Sequence, residues 1–168
     1  RRLAPFPAEA VHFIDSGDFH YLTEYWVSRL HEPFSLIVFD HHPDMQQPEW
    51  EGVVYSQAEI DHHQAWPSKA GKLIHEPVYI SIDKDVLRKQ DAITDWSNGD
   101  MTLLQLQAVL RIIYDHEKVI GVDITGECSA TLDYFSEVKD AAVNNLANEE
   151  LLRMILKENN LSICHNHP

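Results

Sequence analysis

Cysteine is scarce in this chain, with Cys128 and Cys164 the only two in 168 residues. That count excludes a disulfide framework and fits a reducing, cytoplasmic setting. Long apolar runs are missing too. No stretch approaches the roughly 18 residues that a membrane-spanning helix needs. No secretory leader is legible at Arg1-Arg2-Leu3, and with so abrupt a start a missing upstream segment is an expectation. Positive charge is the third shortage: 13 Lys and Arg face 27 Asp and Glu, for a net charge of −14. Such a surface repels nucleic acid and anionic membranes, so neither is expected as a partner. Internal repeats and low-complexity segments are absent as well.

What is present is an ordinary globular composition, 44% hydrophobic and 24% charged, long enough to bury one core. A single domain over 1–168 is expected. Val11–Asp15 reads as a strand closed by Ser16-Gly17-Asp18. Leu22, Trp26 and Leu30 then recur at helical spacing, predicting a helix from Phe19 to about His31, with Asp18 as its N-cap. Leu36–Phe39 is a second strand, and Gly52–Tyr55 resembles a third. Pro77–Asp83 is the clearest strand of this part. Thr102 and Gln105 form a capping box for a helix with Leu103, Leu106, Leu110 and Ile113 on one stripe. Val119–Ile124 is the last strand. Leu132–Asn159 is helical, with breaks expected at Asn144-Asn145 and Asn148. Alternating β and α elements predict an α/β domain with a mainly parallel sheet.

In such sheets ligands bind beyond the carboxyl ends of the strands, and there this sequence places its ionisable residues. Asp18 and His20 follow the first strand, Asp40, His42 and Asp44 the second, Asp83 and Asp85 the next, and Glu127 the last. Residues at i, i+2 and i+4 of extended backbone share a side, so Asp40, His42 and Asp44 are expected to converge. Clustered carboxylates repel unless a cation joins them. Lys84 alternates to the other side, so two divalent cations are the expected balance for Asp40, Asp44, Asp83 and Asp85. Oxygen-rich ligation with two imidazoles, His20 and His42, suits Mn²⁺ better than Zn²⁺. Two such ions make hydroxide available near neutral pH, which points to metal-assisted hydrolysis.

The order Ser16-Gly17-Asp18-Phe19-His20, Asp40-His41-His42-Pro43-Asp44, Ser81-Ile82-Asp83-Lys84-Asp85, then Asp123 and Glu127, resembles the arginase/agmatinase (ureohydrolase) superfamily. The resemblance spans about residues 11–127. It implies a three-layer αβα fold with the metal site at the carboxyl edge of the sheet. It also implies two Mn²⁺ per chain held by His20, Asp40, His42, Asp44, Asp83 and Asp85. A metal-bridging hydroxide would cleave a guanidino or amidino C–N bond of a small, cationic substrate. Glu127 would pair with the substrate's cationic group, His62 or His63 would shuttle the proton, and the chain would form a homo-oligomer. The sequence departs from the pattern in several ways, among them a short spacing between Asp44 and Asp83 and no recognisable Gly-rich, His-containing substrate loop. Phe19 is inserted before His20, Glu127 falls one residue late, and the chain is short for the family.

Two other readings stand beside this one. Val38-Phe39-Asp40-His41-His42 also looks like the signature of the DHH phosphoesterases, although the upstream acidic element of that family is missing. A non-catalytic member that keeps its metals for stability or binding is the other. Among single residues, His41 is expected to face away from the site, and His12 and His75 to be structural. Asp123 is expected to be buried behind the ligands. The four tryptophans, Trp26, Trp50, Trp66 and Trp96, are expected in the core or an interface. His165 and His167 are read as incidental.

Overall fold

The computed structural model describes residues 10–42, 52–54, 76–128 and 134–165. Five parallel strands form one sheet: β1 (Val11–Phe13), β2 (Ser35–Phe39), β3 (Gly52–Val54), β4 (Val78–Asp83) and β5 (Val119–Thr125). Their order across the sheet is β1-β5-β4-β2-β3. A parallel sheet is covered on both faces, which is why its central strands are nearly continuous apolar runs. All six residues of β4 are buried.

The period-2 alternation of side chains sorts the core into two layers. Ile37, Phe39, Ile80, Ile82, Val122 and Ile124 face one way, packed with residues of α2 (Leu103–His116) and α3 (Tyr134–His165). Leu36, Val38, Tyr79 and Ile120 face the other way, against Trp26, Val27 and Leu30, with Trp26 and Val27 on α1 (Thr23–Val27). The arrangement is the expected three-layer α/β sandwich. Each fully buried aliphatic side chain contributes about 1.5–3 kcal/mol relative to exposure, so the first layer dominates the core.

Several local expectations hold. The capping box at α2 is formed, with Gln105 N donating to Thr102 Oγ1 at 3.1 Å and Thr102 N to Gln105 Oε1 at 2.8 Å. Others need correction. The first helix is shorter and tighter than its periodicity predicts, a 3-10 turn over Gly17–Leu22 running into α1. Its N-cap is Ser16, whose Oγ accepts from Asp18 N, so Asp18 lies in the first turn and not at the cap. The long C-terminal helix has no break at its asparagines. The Asn144 side chain, 1% exposed, reaches out of α3 to the backbone of Ile93. Its Nδ2 donates to the Ile93 carbonyl at 2.7 Å, and its Oδ1 accepts from Ile93 N at 2.9 Å. A poor helix former is retained here because it satisfies two backbone groups of the 88–99 segment.

Candidate metal centre

Register brings the motifs together. Phe39 pairs with Ile82 and Asp83 with Thr125, so the residues leaving β2, β4 and β5 start abreast on one edge. The chain then turns rather than continuing extended. β2 ends at Phe39, and Asp40 Oδ1 accepts from His42 N at 2.7 Å, which folds the two side chains inward. Asp83 caps a 3-10 turn over Lys84–Val86 and accepts from Asp85 N at 2.9 Å. Asp40 and His42 do converge, but local side-chain-to-backbone turns bring them together, not an extended strand.

Two triads of donors result. His20, Asp40 and Asp83 form one, and Asp40, His42 and Asp85 the other, with the ligand atoms of each triad all within 4.8 Å of one another. Asp40 belongs to both. His20 Nδ1 lies 3.1 Å from Asp40 Oδ2 and 3.8 Å from Asp83 Oδ2. His42 Nδ1 lies 2.7 Å from Asp85 Oδ2, whose other oxygen accepts from His41 N at 3.0 Å. His41 thus acts on the site through its backbone, and its exposed side chain packs edge-on to His42 with ring centroids 4.9 Å apart.

Behind the ligands sits a buried polar relay. Ser81 and Asp123 are register partners on adjacent strands. Ser81 Oγ donates to Asp123 Oδ1 at 2.7 Å, and Thr23 Oγ1 donates to the same oxygen at 3.1 Å. The single Ser81 proton is therefore directed at Asp123. Ser81 Oγ is left to accept from His20 Nε2, 2.8 Å away. In neutral His20 that arrangement fixes the tautomer and turns the lone pair of Nδ1 toward Asp40 and Asp83, as a metal-ligating imidazole requires. Two glycines make room for this. A Cβ at Gly17 would lie 2.8 Å from Asp83 Oδ2, and one at Gly126, whose φ is +91°, would lie 2.5 Å from Asp83 Oδ1.

The electrostatics are those of carboxylates short of positive charge. Asp83 is pushed up from 3.8 to about 7, first by burial and then by the neighbouring charge of Asp85. Burial likewise raises Asp85 and Asp123. Burial alone would lower His20, but its hydrogen bond to Asp40 and the charges of Asp83, Asp40 and Asp123 raise it instead. Protons hold the cluster together where cations are absent. The donor set, three carboxylates and two imidazoles in two overlapping triads, fits a pair of divalent ions.

Glu127 has partners within the fold. Its Oε1 is paired with the fully buried Nζ of Lys84, and it also accepts from Asn148 Nδ2 at 2.8 Å. Lys84 Nζ donates as well to Asn148 Oδ1 at 3.0 Å. Burial alone would raise Glu127, but the bonds from Lys84 and Asn148 hold it below the usual range. The carboxylate assigned to a substrate cation thus already has an internal one. Asp123 is buried as expected, and His12 is a structural residue stacked on Trp26 with ring centroids 3.8 Å apart. Cys128 Sγ donates to Asp95 Oδ1 at 3.3 Å, and its thiol is pushed up to about 11 by burial and by Asp95, the opposite of activation. Trp96 is not in the core, being 52% exposed. Asp44, Trp50, His62, His63, Trp66, His75 and His167 lie outside the described residues.

No protein-family profile matches the chain. It is 36% identical to an uncharacterised protein of Thermotoga maritima, over 70% of this chain and 58% of that one. Its fold matches the crystal structure of formimidoylglutamase from Bacillus subtilis, with a TM-score of 0.53 at 16% identity, covering 80% of this chain and 58% of that one. It also matches a hypothetical agmatinase from Burkholderia thailandensis, with a TM-score of 0.55 at 18% identity, covering 90% of this chain and 60% of that one. The resemblance to the ureohydrolases is therefore borne out at the level of the fold. The chain spans about three fifths of the length of these relatives.

Proposed function

We propose that the chain, read as one arginase-like domain, is a Mn²⁺-dependent hydrolase of ureohydrolase type acting on a guanidino or amidino C–N bond. One observation carries this reading: two donor triads sharing Asp40 at the carboxyl edge of a sheet with the ureohydrolase fold. His20, Asp40 and Asp83 would hold one ion, and Asp40, His42 and Asp85 the other, with Asp44 as a sixth ligand. Bound there, the ions supply Lewis acidity and a nucleophile at neutral pH. The chain's own part is orientation and protection. Ser81 and Asp123 fix the His20 ring, His41 N fixes Asp85, and the apolar ends of β2 and β4 exclude water from beneath the ligands. Proton transfer is assigned to His62 or His63. A cytoplasmic setting, a small cationic substrate and homo-oligomeric assembly belong to the same reading.

One observation favours a second reading, in which the metals are held without turnover: Glu127 is already neutralised by Lys84. A panel of guanidino and ureido compounds assayed for urea or ammonia release with added Mn²⁺ separates the two. Turnover supports the hydrolase, and silence across the panel from protein with confirmed metal supports the binding reading. Nothing in the fold likeness supports the phosphoesterase alternative.

A further inference from the structure

With Glu127 engaged by Lys84, a planar cation entering the site needs another partner. The segment between the 3-10 turn at Lys84–Val86 and α2 provides one. Trp96 is 52% exposed, yet it stands directly at the candidate centre. Its ring packs edge-on to His42 with centroids 5.8 Å apart, and its Cδ1 would lie 3.4 Å from a Cβ at Gly17, three residues before His20. The indole thus borders His42 of one triad and the Gly17 turn that leads to His20 of the other.

Its position is fixed from several directions. Trp96 Nε1 donates to Asp18 Oδ1 at 3.1 Å, and Ser97 Oγ lies 2.9 Å from His42 Nε2. Asp95 accepts from Ser16 Oγ at 3.3 Å, and Gly99 N donates to the Asp85 carbonyl at 2.7 Å. Asn98 Nδ2 donates to the carbonyls of Leu87 at 2.8 Å and Ala92 at 3.2 Å. An indole held this way loses little freedom on binding a ligand, the usual condition for an aromatic recognition surface. The hydrogen bond to a carboxylate also polarises the ring toward greater electron density, which favours a cation over its face.

We propose that Trp96 is the substrate-recognition platform of this centre, on which the planar amidine or guanidine group stacks in place of an ion pair with Glu127. The proposal rests on the hydrolase reading for the kind of group recognised, but binding and turnover are measured separately.

The test is equilibrium binding of methylguanidinium, with the neutral isostere methylurea as control, to Mn²⁺-loaded protein, followed by ligand NMR line broadening. Wild-type protein is expected to bind methylguanidinium more tightly than methylurea. Trp96→Ala should weaken methylguanidinium binding about tenfold, as loss of a cation–π contact implies. Trp96→Tyr should retain affinity within about threefold, because its ring face is kept. Metal content should be unchanged in both variants. Equal binding of the two probes by wild-type protein, no binding of either, or full affinity in Trp96→Ala would each overturn the platform. Binding that follows this pattern without any hydrolysis would leave the platform standing and remove the hydrolase reading. Hydrolysis untouched by Trp96→Ala would do the reverse.

Discussion

Asp83 concentrates the physics of the centre in one carboxylate. It caps its own turn, lies beside His20, and carries a pKa raised from 3.8 to about 7 because burial and Asp85 both oppose its charge. Between those two pH values the folded, metal-free protein keeps a proton that the unfolded chain has released, so stability falls as pH rises across that window. His20, raised above 6.5, acts in the same sense, since its contribution is complete below 6.5 and is lost as pH climbs through its folded value. Metal-free protein should therefore melt at a higher temperature at pH 5 than at pH 7.5. Added Mn²⁺ should raise the melting temperature more at pH 7.5, where metal no longer competes with protons. Thermal melts with chelator and with Mn²⁺ at both pH values check this, and Asp83→Asn should flatten the chelator curve. In a separate measurement, Asp83→Ala should lose bound metal and any hydrolytic activity together, whereas retention of two ions per chain would remove Asp83 from the site. The candidate donors of the two triads were legible because ionisable residues directly after an apolar run are a local signal. The pairing of Lys84 with Glu127 and Asn148 was not, because it joins three segments far apart in sequence, and no local pattern encodes that contact.

Elements matter here chiefly where they end. β2 and β4 stop at the residue before or at their first acidic ligand, and a turn built by that ligand redirects the chain. Gly126 performs the matching task after β5, with a left-handed backbone and almost no space between it and Asp83. Gly126→Ala should strain the backbone and displace Asp83. A loss of about 1–3 kcal/mol in denaturant unfolding is expected, together with weaker metal binding. Unchanged metal affinity would show that the turn and the carboxylate are uncoupled. The asparagines of α3 serve the opposite side of the same region. Asn144 holds Ile93 by two hydrogen bonds, and its replacement by Ala leaves a part-buried amide and carbonyl without these partners, for a cost of about 1–3 kcal/mol. Chemical denaturation of Asn144→Ala measures that cost, and a change below a few tenths of a kcal/mol would contradict the tether. Strand positions and the α2 capping box could be read from the sequence because period, caps and breakers are local. Reading Asn144-Asn145 and Asn148 as helix breaks failed because propensity is a weak prior that a tertiary contact overrides. Asp18 failed as an N-cap because Ser16, two residues earlier, caps the helix by accepting from Asp18 N, while Asp18 Oδ1 accepts from Trp96 Nε1.

At the scale of the molecule, a parallel sheet gathers four sequence motifs onto one edge, and that follows from topology alone once the strands are assigned. The acidic excess of the chain, −14 overall, is partly concentrated there, in buried carboxylates that two divalent cations would neutralise. Among the described residues no helix is long and apolar enough to cross a membrane. The most direct test of this account is a titration of metal-free protein with Mn²⁺ by calorimetry, run in parallel on wild type and Asp40→Ala. The two-triad geometry predicts two ions per chain for the wild type and loss of both in the variant, because Asp40 serves each triad. One ion or none in the wild type, or a variant that still binds one ion at full affinity, would contradict a shared two-metal centre.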